Sequence, residues 1–246
     1  RVYQPALAIN SSMSTFAKSA SKLPAAAPGK NSEWTRTLNS HYQQNLERSP
    51  SPGNVQMADI IAWLNRRLPD DAILTNGAGN YAVWLQRFYQ FRQYRTQLGP
   101  TNGSMGYGVP AAVAAKLTCP ERVVVSFSGD GCFLMNGQEI ATAAQYGANV
   151  IFVVINNGMY GTIRMHQERN YPGRVSGTDL HNPDFVALAQ AYGLHGELVT
   201  VTAGFEPAFE RCLAMSRPCL IEVRVDPEAL TPRLSLSQIR AQSSKQ

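Results

Sequence analysis

Short apolar runs alternate with helical patterns through most of this sequence, and this alternation restricts the possible folds more than any other feature. Runs that predict strands lie at residues 72–75, 123–127, 150–155, 197–201 and 220–225. Helices are predicted before the first strand, at residues 57–67, and between the strands, at residues 105–117, 133–146 and 207–215. Such alternation predicts a parallel sheet with helices on both faces. We therefore expect an α/β fold with a doubly wound, mostly parallel sheet that binds ligands at the carboxyl ends of its strands.

One further helix has a well-marked start. Asn182 is predicted as its N-cap, since Pro183 and the acidic Asp184 then occupy the first turn. The helix is expected to end at Gly193, because glycine commonly follows the last helical turn.

The composition divides the chain into three parts. Residues 1–53 mix Ser, Ala, Pro and Lys around one predicted helix near residues 32–48, and we expect the end of a preceding central domain and a connector. Residues 54–230 form the predicted compact domain, and 44% apolar content in 246 residues suffices for one full core. Residues 231–246 are expected to be a polar tail, frayed from Ser235 onward. Because the sequence begins at Arg1, we expect a fragment of a longer polypeptide.

Charge and cysteine usage argue against several classes of protein. The net charge is +5, but the basic residues are scattered, so we expect no nucleic-acid binding. No apolar stretch reaches the roughly 18 residues of a membrane span, so we expect no membrane partner. The four cysteines form no C-x-x-C pair, which favours reduced thiols in the cytoplasm.

The turn after the first predicted strand matches a dinucleotide-binding fingerprint. Residues 77–82 read G-x-G-x-x-A, and the turn can bring backbone N–H groups of Gly79 and its neighbours close to a phosphate. A nicotinamide site also needs an acidic residue about 20 positions further on. No Asp or Glu lies between Asp71 and Glu121, which weighs against such an oxidoreductase. A plain strand-to-helix turn remains an alternative.

A carboxylate and an amide follow two successive strands. Gly129, Asp130 and Gly131 follow one apolar strand, and Asn156 and Asn157 follow the next. The interval between Gly131 and Asn156 is 24 residues. One strand-to-strand crossover has this length, so both side chains are expected at the same edge of the sheet. Their oxygens suit Mg²⁺ better than zinc, and the two glycines allow a diphosphate to approach closely. Separately, Asp130 would be a helix cap and Asn157 part of an ordinary turn.

The spacing of Gly-Asp-Gly and Asn-Asn resembles the signature of the thiamine diphosphate enzymes. Residues 103–112 (GSMGYGVPAA) are also similar to the family segment that holds the cofactor bent, and the likeness is greatest to the acetolactate synthase and benzoylformate decarboxylase branch. The resemblance covers about residues 54–226 and implies thiamine diphosphate and Mg²⁺ as cofactors. It implies Asp130, Asn157 and the carbonyl of Met159 as metal ligands. It implies that the cofactor contacts Gly79, Asn80, Tyr81, Gly103, Met105, Gly129, Asp130, Gly131, Cys132, Asn157, Met159 and Tyr160.

Within these contacts the resemblance assigns individual roles. Gly131 and Cys132 would donate N–H groups to the diphosphate, and Met105 would wedge between the two rings of the cofactor. Core packing on a helix is the alternative for Met105. The carbonyl of Gly103 would accept a hydrogen bond from the amino group of the pyrimidine.

The resemblance also implies what the chain lacks. The family decarboxylates or ligates 2-oxo acids, and its proton relay starts at a glutamate on a pyrimidine-binding domain of the same or another subunit. That domain is not in this sequence, so we expect the chain alone to be inactive, and a homodimer or homotetramer to form the complete site. FAD use is left undetermined. A non-catalytic cofactor-binding subunit and the nicotinamide-dependent oxidoreductase are the alternatives.

His166 is a departure from the family pattern. In typical acetolactate synthases a tryptophan that shapes the acceptor pocket stands at this position, so acetolactate synthesis itself is in doubt. His166 is a candidate catalytic residue, as a substrate contact or proton donor, against the alternative of an exposed helical histidine.

Overall fold

The computed structural model describes residues 3–25, 27, 29 and 32–244. Its contacts group the chain into two units, Arg1–Asn45 and Leu46–Gln246. In the first unit, α1 (Met13–Ala20) and α2 (Ser32–Asn45) bury no side chain. The sequence predicted α2, with an end three residues later, but not α1. Arg1 and Val2 lie outside the described residues. The predicted domain boundaries after residues 53 and 230 stay predictions.

The second unit alternates strands and helices. Its strands are β1 (Ile73–Asn76), β2 (Gln97–Leu98), β3 (Val124–Gly129), β4 (Val150–Asn156), β5 (His195–Val199) and β6 (Cys219–Arg224). Its helices are α3 (Met57–Arg67), α4 (Tyr81–Phe88), α5 (Gly108–Thr118), α6 (Asp130–Asn136), α7 (Ile140–Gln145), α8 (Gly161–Asn170), α9 (Phe185–Ala191), α10 (Phe205–Leu213) and α11 (Leu236–Ser243).

All six strands form one parallel sheet in the order β2-β1-β3-β4-β6-β5. One face packs against α3, α4 and α10, and the other against α5, α6, α7 and α9. This arrangement confirms the predicted doubly wound α/β fold. In the register, Gly129 lies beside Ile155, so β3 and β4 end at the same edge of the sheet. The loops that leave this edge therefore start side by side.

The central strands are buried on both faces, which explains their continuous apolar sequence. In β4, residues 150–155 are all buried, and neighbouring side chains join the two opposite cores. Full burial of one such Val or Phe side chain stabilises a fold by roughly 1.5–3 kcal/mol. β4 thus anchors both layers of helices to the sheet.

The helix predicted at residues 133–146 was wrong in extent. It begins at Asp130, directly after β3, and a short 3-10 turn at Gly137–Glu139 separates α6 from α7. A side chain at Gly137 would lie 2.6 Å from the ring of Phe133, so the bend brings the chain against that ring.

The N-cap predicted at Asn182 was also wrong. The cap is Asp184, whose side chain accepts from the backbone N of Ala187 at 2.9 Å. Asn182 instead turns its amide toward Asp130 and Asn156, as described below.

The C-terminal stretch is not frayed over its described part, which corrects the expectation from Ser235 onward. α11 starts with a capping box formed by Ser235 and Gln238. Leu236 and Ile239 are buried in a small cluster with Met159, Met165 and Leu230. Only two residues of this helix are buried and apolar, and their polar neighbours in the sequence hide this signal.

Candidate functional site

A cavity of about 230 Å³ lies at the carboxyl edge of the sheet, where β1, β3 and β4 end. Every residue predicted to contact the cofactor lines it: Gly79, Asn80, Tyr81, Gly103, Met105, Gly129, Asp130, Gly131, Cys132, Asn157, Met159 and Tyr160. The structure therefore brings together segments that are up to 81 positions apart in the sequence, from Gly79 to Tyr160.

Asp130 is the most constrained polar residue of the cavity. It is 2% exposed, and its Oδ1 accepts from the N–H of Gly131 at 2.9 Å. Its Oδ2 accepts from the N–H of Gly158 and from the side-chain amide of Asn182, both at 2.8 Å. Burial raises the pKa of Asp130 above its ordinary value, and the hydrogen bonds act against this rise. With Oδ2 engaged by two donors, the carboxylate has a fixed orientation.

Asn157 and Met159 add two further oxygens on the loop after β4. Asn157 Oδ1 accepts from the N–H of Met159 at 3.3 Å, and the carbonyl of Met159 accepts from the N–H of Gly161 at 2.9 Å. A bridge between Met159 and Asp179 holds this loop in place. A carboxylate, an amide oxygen and a backbone carbonyl are hard donors of the kind that Mg²⁺ prefers.

Among residues 3–25, 27, 29 and 32–244, no group of three or more His, Cys, Asp or Glu side chains could hold a metal ion. The oxygen set around Asp130 contains a single carboxylate, and it is a candidate cation site because its donors are of the type that Mg²⁺ prefers.

Two glycines leave room beside Asp130. A Cβ at Gly129 would lie 2.9 Å from the ring of Tyr81, and one at Gly131 would lie 2.5 Å from the ring of Tyr160. Only a residue without a side chain permits both rings to pack against this turn. Both glycines also line the cavity, so a ligand there could contact their backbone.

Tyr81 and Cys132 interlock behind the turn. The hydroxyl of Tyr81 donates to Cys132 Sγ at 3.3 Å, and the same sulfur accepts from the N–H of Gly106 at 3.2 Å. Burial raises the pKa of Tyr81, so its phenol stays protonated. The sulfur of Cys132 therefore joins the turns after β1, β2 and β3 to one another, and the hydroxyl of Tyr81 is engaged within the protein.

Asn80 connects two helix starts in a similar way. Its N–H donates to Thr162 Oγ1 at 3.0 Å, and its side-chain oxygen accepts from the same hydroxyl at 2.9 Å. This pair holds the start of α4 against the start of α8. Sequence reasoning missed Thr162, since nothing in its surroundings marks it as a partner of a residue 82 positions away.

Six further residues that line the cavity are apolar and were not predicted from the sequence. They belong to α3, α4, the end of β4 and the segment after β6: Met57, Trp84, Ile155, Val225, Ala229 and Leu230. These residues carry no motif, because ordinary core residues have the same composition. The cavity lining thus combines a polar, glycine-rich part with an apolar part.

The structure does not bring His166 to the other predicted residues. It is exposed on α8 and does not line the cavity, whereas Met165 beside it is buried. Its catalytic role stays a prediction without support from the geometry of the cavity.

None of the helices that the structure describes combines the length and the apolar character that crossing a bilayer requires.

Comparison with known proteins gives consistent matches. Residues 77–223 match the family model described as "Thiamine pyrophosphate enzyme, C-terminal TPP binding domain". The chain is 37% identical over 177 residues to an acetolactate synthase large subunit of Corynebacterium glutamicum, covering 69% of this chain and 28% of that protein. It is 32% identical over 197 residues to acetolactate synthase isozyme 2 large subunit of Escherichia coli K12, covering 79% of this chain and 36% of that protein.

A solved structure agrees with these sequence matches. The thiamine diphosphate-dependent 4-hydroxybenzoylformate decarboxylase of Rhodococcus jostii RHA1 superposes with a TM-score of 0.68 at 34% identity, covering 73% of this chain and 34% of that one. The chain therefore spans only about a third of the length of the proteins that it matches.

Proposed function

The chain belongs to the thiamine pyrophosphate enzyme family through its C-terminal cofactor-binding domain, and from this membership we propose that it binds thiamine diphosphate through Mg²⁺ as part of an enzyme acting on 2-oxo acids. The observation that carries the proposal is the meeting of Asp130, Asn157 and the carbonyl of Met159 at the floor of one cavity. Their three oxygens would hold the cation, and the cation would hold the diphosphate. The family match also favours this function over the nicotinamide alternative.

The residues of the cavity fit the proposed groups. Gly129 and Gly131 place no side chain of their own at the floor, where backbone N–H groups at the start of α6 favour an anion. Apolar side chains, among them Trp84 and Leu230, also line the cavity and would disfavour water there. When bound, thiamine diphosphate would supply the electron sink for the reaction, and the chain's own residues would orient it in a partly apolar pocket.

The proposed reaction class is decarboxylation, carboligation or both. Acetolactate synthases and a 4-hydroxybenzoylformate decarboxylase are among the relatives, which supports a lyase or transferase acting on a 2-oxo acid. We propose that the enzyme works in the cytoplasm as a homodimer or homotetramer, since the family builds its site between domains.

We further propose that this chain is inactive without a pyrimidine-binding domain. Among the described residues that line the cavity, Asp130 is the one acid, and its carboxylate is assigned to the cation. Glu168, the buried glutamate nearest in sequence to the loop after β4, is paired with Arg240 and Arg164. A proton relay that starts at a glutamate would therefore need one from another domain.

Calorimetry of the purified chain tests the proposal. Thiamine diphosphate should bind in MgCl₂ and fail to bind in EDTA, and Asp130→Ala should abolish binding while the circular dichroism spectrum is retained. Asp70→Ala is the matched control, because it removes an exposed aspartate that pairs with Arg92 and does not line the cavity, and it should leave affinity unchanged. Binding that survives both EDTA and Asp130→Ala would refute the cation-mediated site. Turnover of pyruvate by the chain alone would contradict the proposed incompleteness.

A further inference from the structure

A line of partly buried hydrogen bonds runs from Asp130 to β6. Asn182 Nδ2 donates to Asp130 Oδ2 at 2.8 Å and to Asn156 Oδ1 at 2.9 Å. Asn156 Nδ2 donates to Glu222 Oε1 at 2.8 Å, and Glu222 Oε1 also accepts from Arg224 Nε at 2.7 Å. We call Glu222, Asn156 and Asn182 the relay. It joins β6, the end of β4 and the loop before α9.

The two ends of this line determine the orientation of both amides. A carboxylate only accepts hydrogen bonds, so Glu222 requires the NH₂ group of Asn156 to face it. The oxygen of Asn156 then faces Asn182, which donates a hydrogen bond to it from its own NH₂ group. Asn182 consequently presents a donor to Asp130, the second carboxylate. Without a carboxylate at position 222, the NH₂ group of Asn156 would lose its charged acceptor, and only Asp130 and the N–H of Gly158 would hold the two amides in place.

The burial of the Glu222 carboxylate destabilises the fold, which indicates that this residue has a role other than core packing. It is 0% exposed, and its Oε2 has no hydrogen-bond partner among the described residues. Its register neighbours are Val154 on β4 and Leu198 on β5, which are apolar. A buried carboxylate with an unpartnered oxygen is destabilising relative to a packed apolar side chain. Its contribution therefore lies in what it orients.

The relay also acts on the loop after β4. The N–H of Gly158 donates both to Asp130 Oδ2 at 2.8 Å and to Asn156 Oδ1 at 3.1 Å. The orientation of Asn156 thus fixes the backbone beside Asn157, the second proposed ligand. One remote carboxylate holds both sides of the proposed cation site.

We infer that Glu222 is a positioning residue which, through Asn156 and Asn182, holds the Asp130 carboxylate in the orientation that binds the cofactor's cation. This inference rests on the proposed function for the identity of the cation. Groups that orient metal ligands typically change metal affinity by 10- to 100-fold when mutated. Glu222→Gln keeps the volume but replaces the charged acceptor of Asn156 and Arg224 with a neutral one, which weakens the anchor of the relay.

The first experiment measures Mg²⁺ affinity by calorimetry of the whole chain at saturating thiamine diphosphate. Glu222→Gln should weaken Mg²⁺ binding by about tenfold while the melting temperature of the metal-free chain stays the same or rises. Glu197→Gln is the matched control, since it neutralises a paired carboxylate on the neighbouring strand that has no contact with the relay. A merely structural role predicts the opposite pattern, with a lower melting temperature and an unchanged Mg²⁺ affinity, and would overturn the inference.

The second experiment needs no cofactor and separates the two proposals. In the metal-free chain, NMR should show slow hydrogen exchange for the side-chain amides of Asn156 and Asn182 and the N–H of Gly158. Glu222→Gln should shift these signals and speed their exchange, and Glu197→Gln should not. Unchanged signals would overturn the relay even if the cofactor binds. If the wild-type chain binds no cofactor but the signals respond, the proposed function fails while the coupling of Glu222 to Asp130 stands.

A third variant covers the case in which Glu222→Gln does not fold. Asn182 is only partly buried, so Asn182→Ala should be tolerated. It removes the donor to Asp130 directly and should weaken Mg²⁺ binding to a similar extent. Wild-type affinity in this variant would overturn the inference.

Discussion

Glu168 attaches the C-terminal helix to α8, which begins at the rim of the cavity, and its neutralisation tests that attachment. Its side chain is 1% exposed. It accepts from Arg240 Nε at 2.8 Å and Nη2 at 2.6 Å, and from Arg164 Nε at 2.9 Å. The N–H of Gly173 adds a further hydrogen bond at 2.9 Å. Glu168→Gln preserves the volume but removes the charge that both arginines surround.

The magnitude follows from the pKa of the carboxyl group. Hydrogen bonds, led by those from Arg240, lower the pKa of Glu168 from 4.5 to about 2. This difference corresponds to roughly 3–4 kcal/mol, since one pH unit is about 1.4 kcal/mol. Because the Arg240 side chain is 41% exposed, solvent screening reduces the attraction, and we expect a loss of about 2 kcal/mol at pH 7.

The sign of the pH dependence follows from the same comparison. The pKa of Glu168 is lower in the folded than in the unfolded chain, so the carboxylate stabilises the fold fully above pH 4.5. Its contribution declines as the pH falls toward 2, and at pH 3 less than about half of it should remain. The glutamine variant lacks this component at every pH.

Urea unfolding followed by circular dichroism measures the effect. The difference in unfolding free energy between wild type and Glu168→Gln should shrink from about 2 kcal/mol at pH 7 to below about 1 kcal/mol at pH 3. Glu210→Gln is the control, because Glu210 is 40% exposed and pairs with Arg67 at the surface. Its loss should not exceed about 1 kcal/mol. A difference that is equal at both pH values, or no larger than that of Glu210→Gln, would refute the reasoning.

Two further substitutions probe the cavity floor and the core. Gly131→Ala places a Cβ 2.5 Å from the ring of Tyr160, so it should weaken thiamine diphosphate binding by about tenfold in calorimetry. Gly204→Ala is the control, because its Cβ meets nothing closer than 3.8 Å, and it should leave the affinity unchanged. Equal affinities of the two variants would argue against a ligand at the turn of Gly131. Phe209→Ala removes a fully buried ring that packs edge-to-face on Trp63 at 5.5 Å and should lower the unfolding free energy by about 3–5 kcal/mol, and a loss below 1 kcal/mol would show that this face of the sheet repacks.

The sequence predicted the elements that carry continuous apolar runs, because burial on both faces leaves a signal in the chain. β3, β4 and β6 agree with their predicted positions to within two residues. β2 was missed because it has only two residues, Gln97 and Leu98, and is held by pairing with β1. Local patterns contain no information on such short, pairing-dependent strands.

The candidate site was predictable where a residue type serves a local requirement. Glycine at positions 129 and 131 marks the turn, and Asp130 marks the helix start that follows it. The orientation of Asn182 was not predictable, because capping and bonding to Asp130 compete for the same amide. The structure resolves this competition in favour of Asp130, since Asp184 is available as the cap.

The order of apolar and polar residues along β4 and β6 explains why the proposed site lies at this edge of the sheet. β4 is apolar from Val150 to Ile155 and ends on Asn156, and β6 runs through Leu220 and Ile221 to Glu222. Polar groups buried this close to the end of a strand lower stability unless they are paired. Pairing among them requires that they come from neighbouring strands, as Asn156 and Glu222 do. Polar residues at or near the carboxyl ends of adjacent strands therefore mark the edge at which we propose the site.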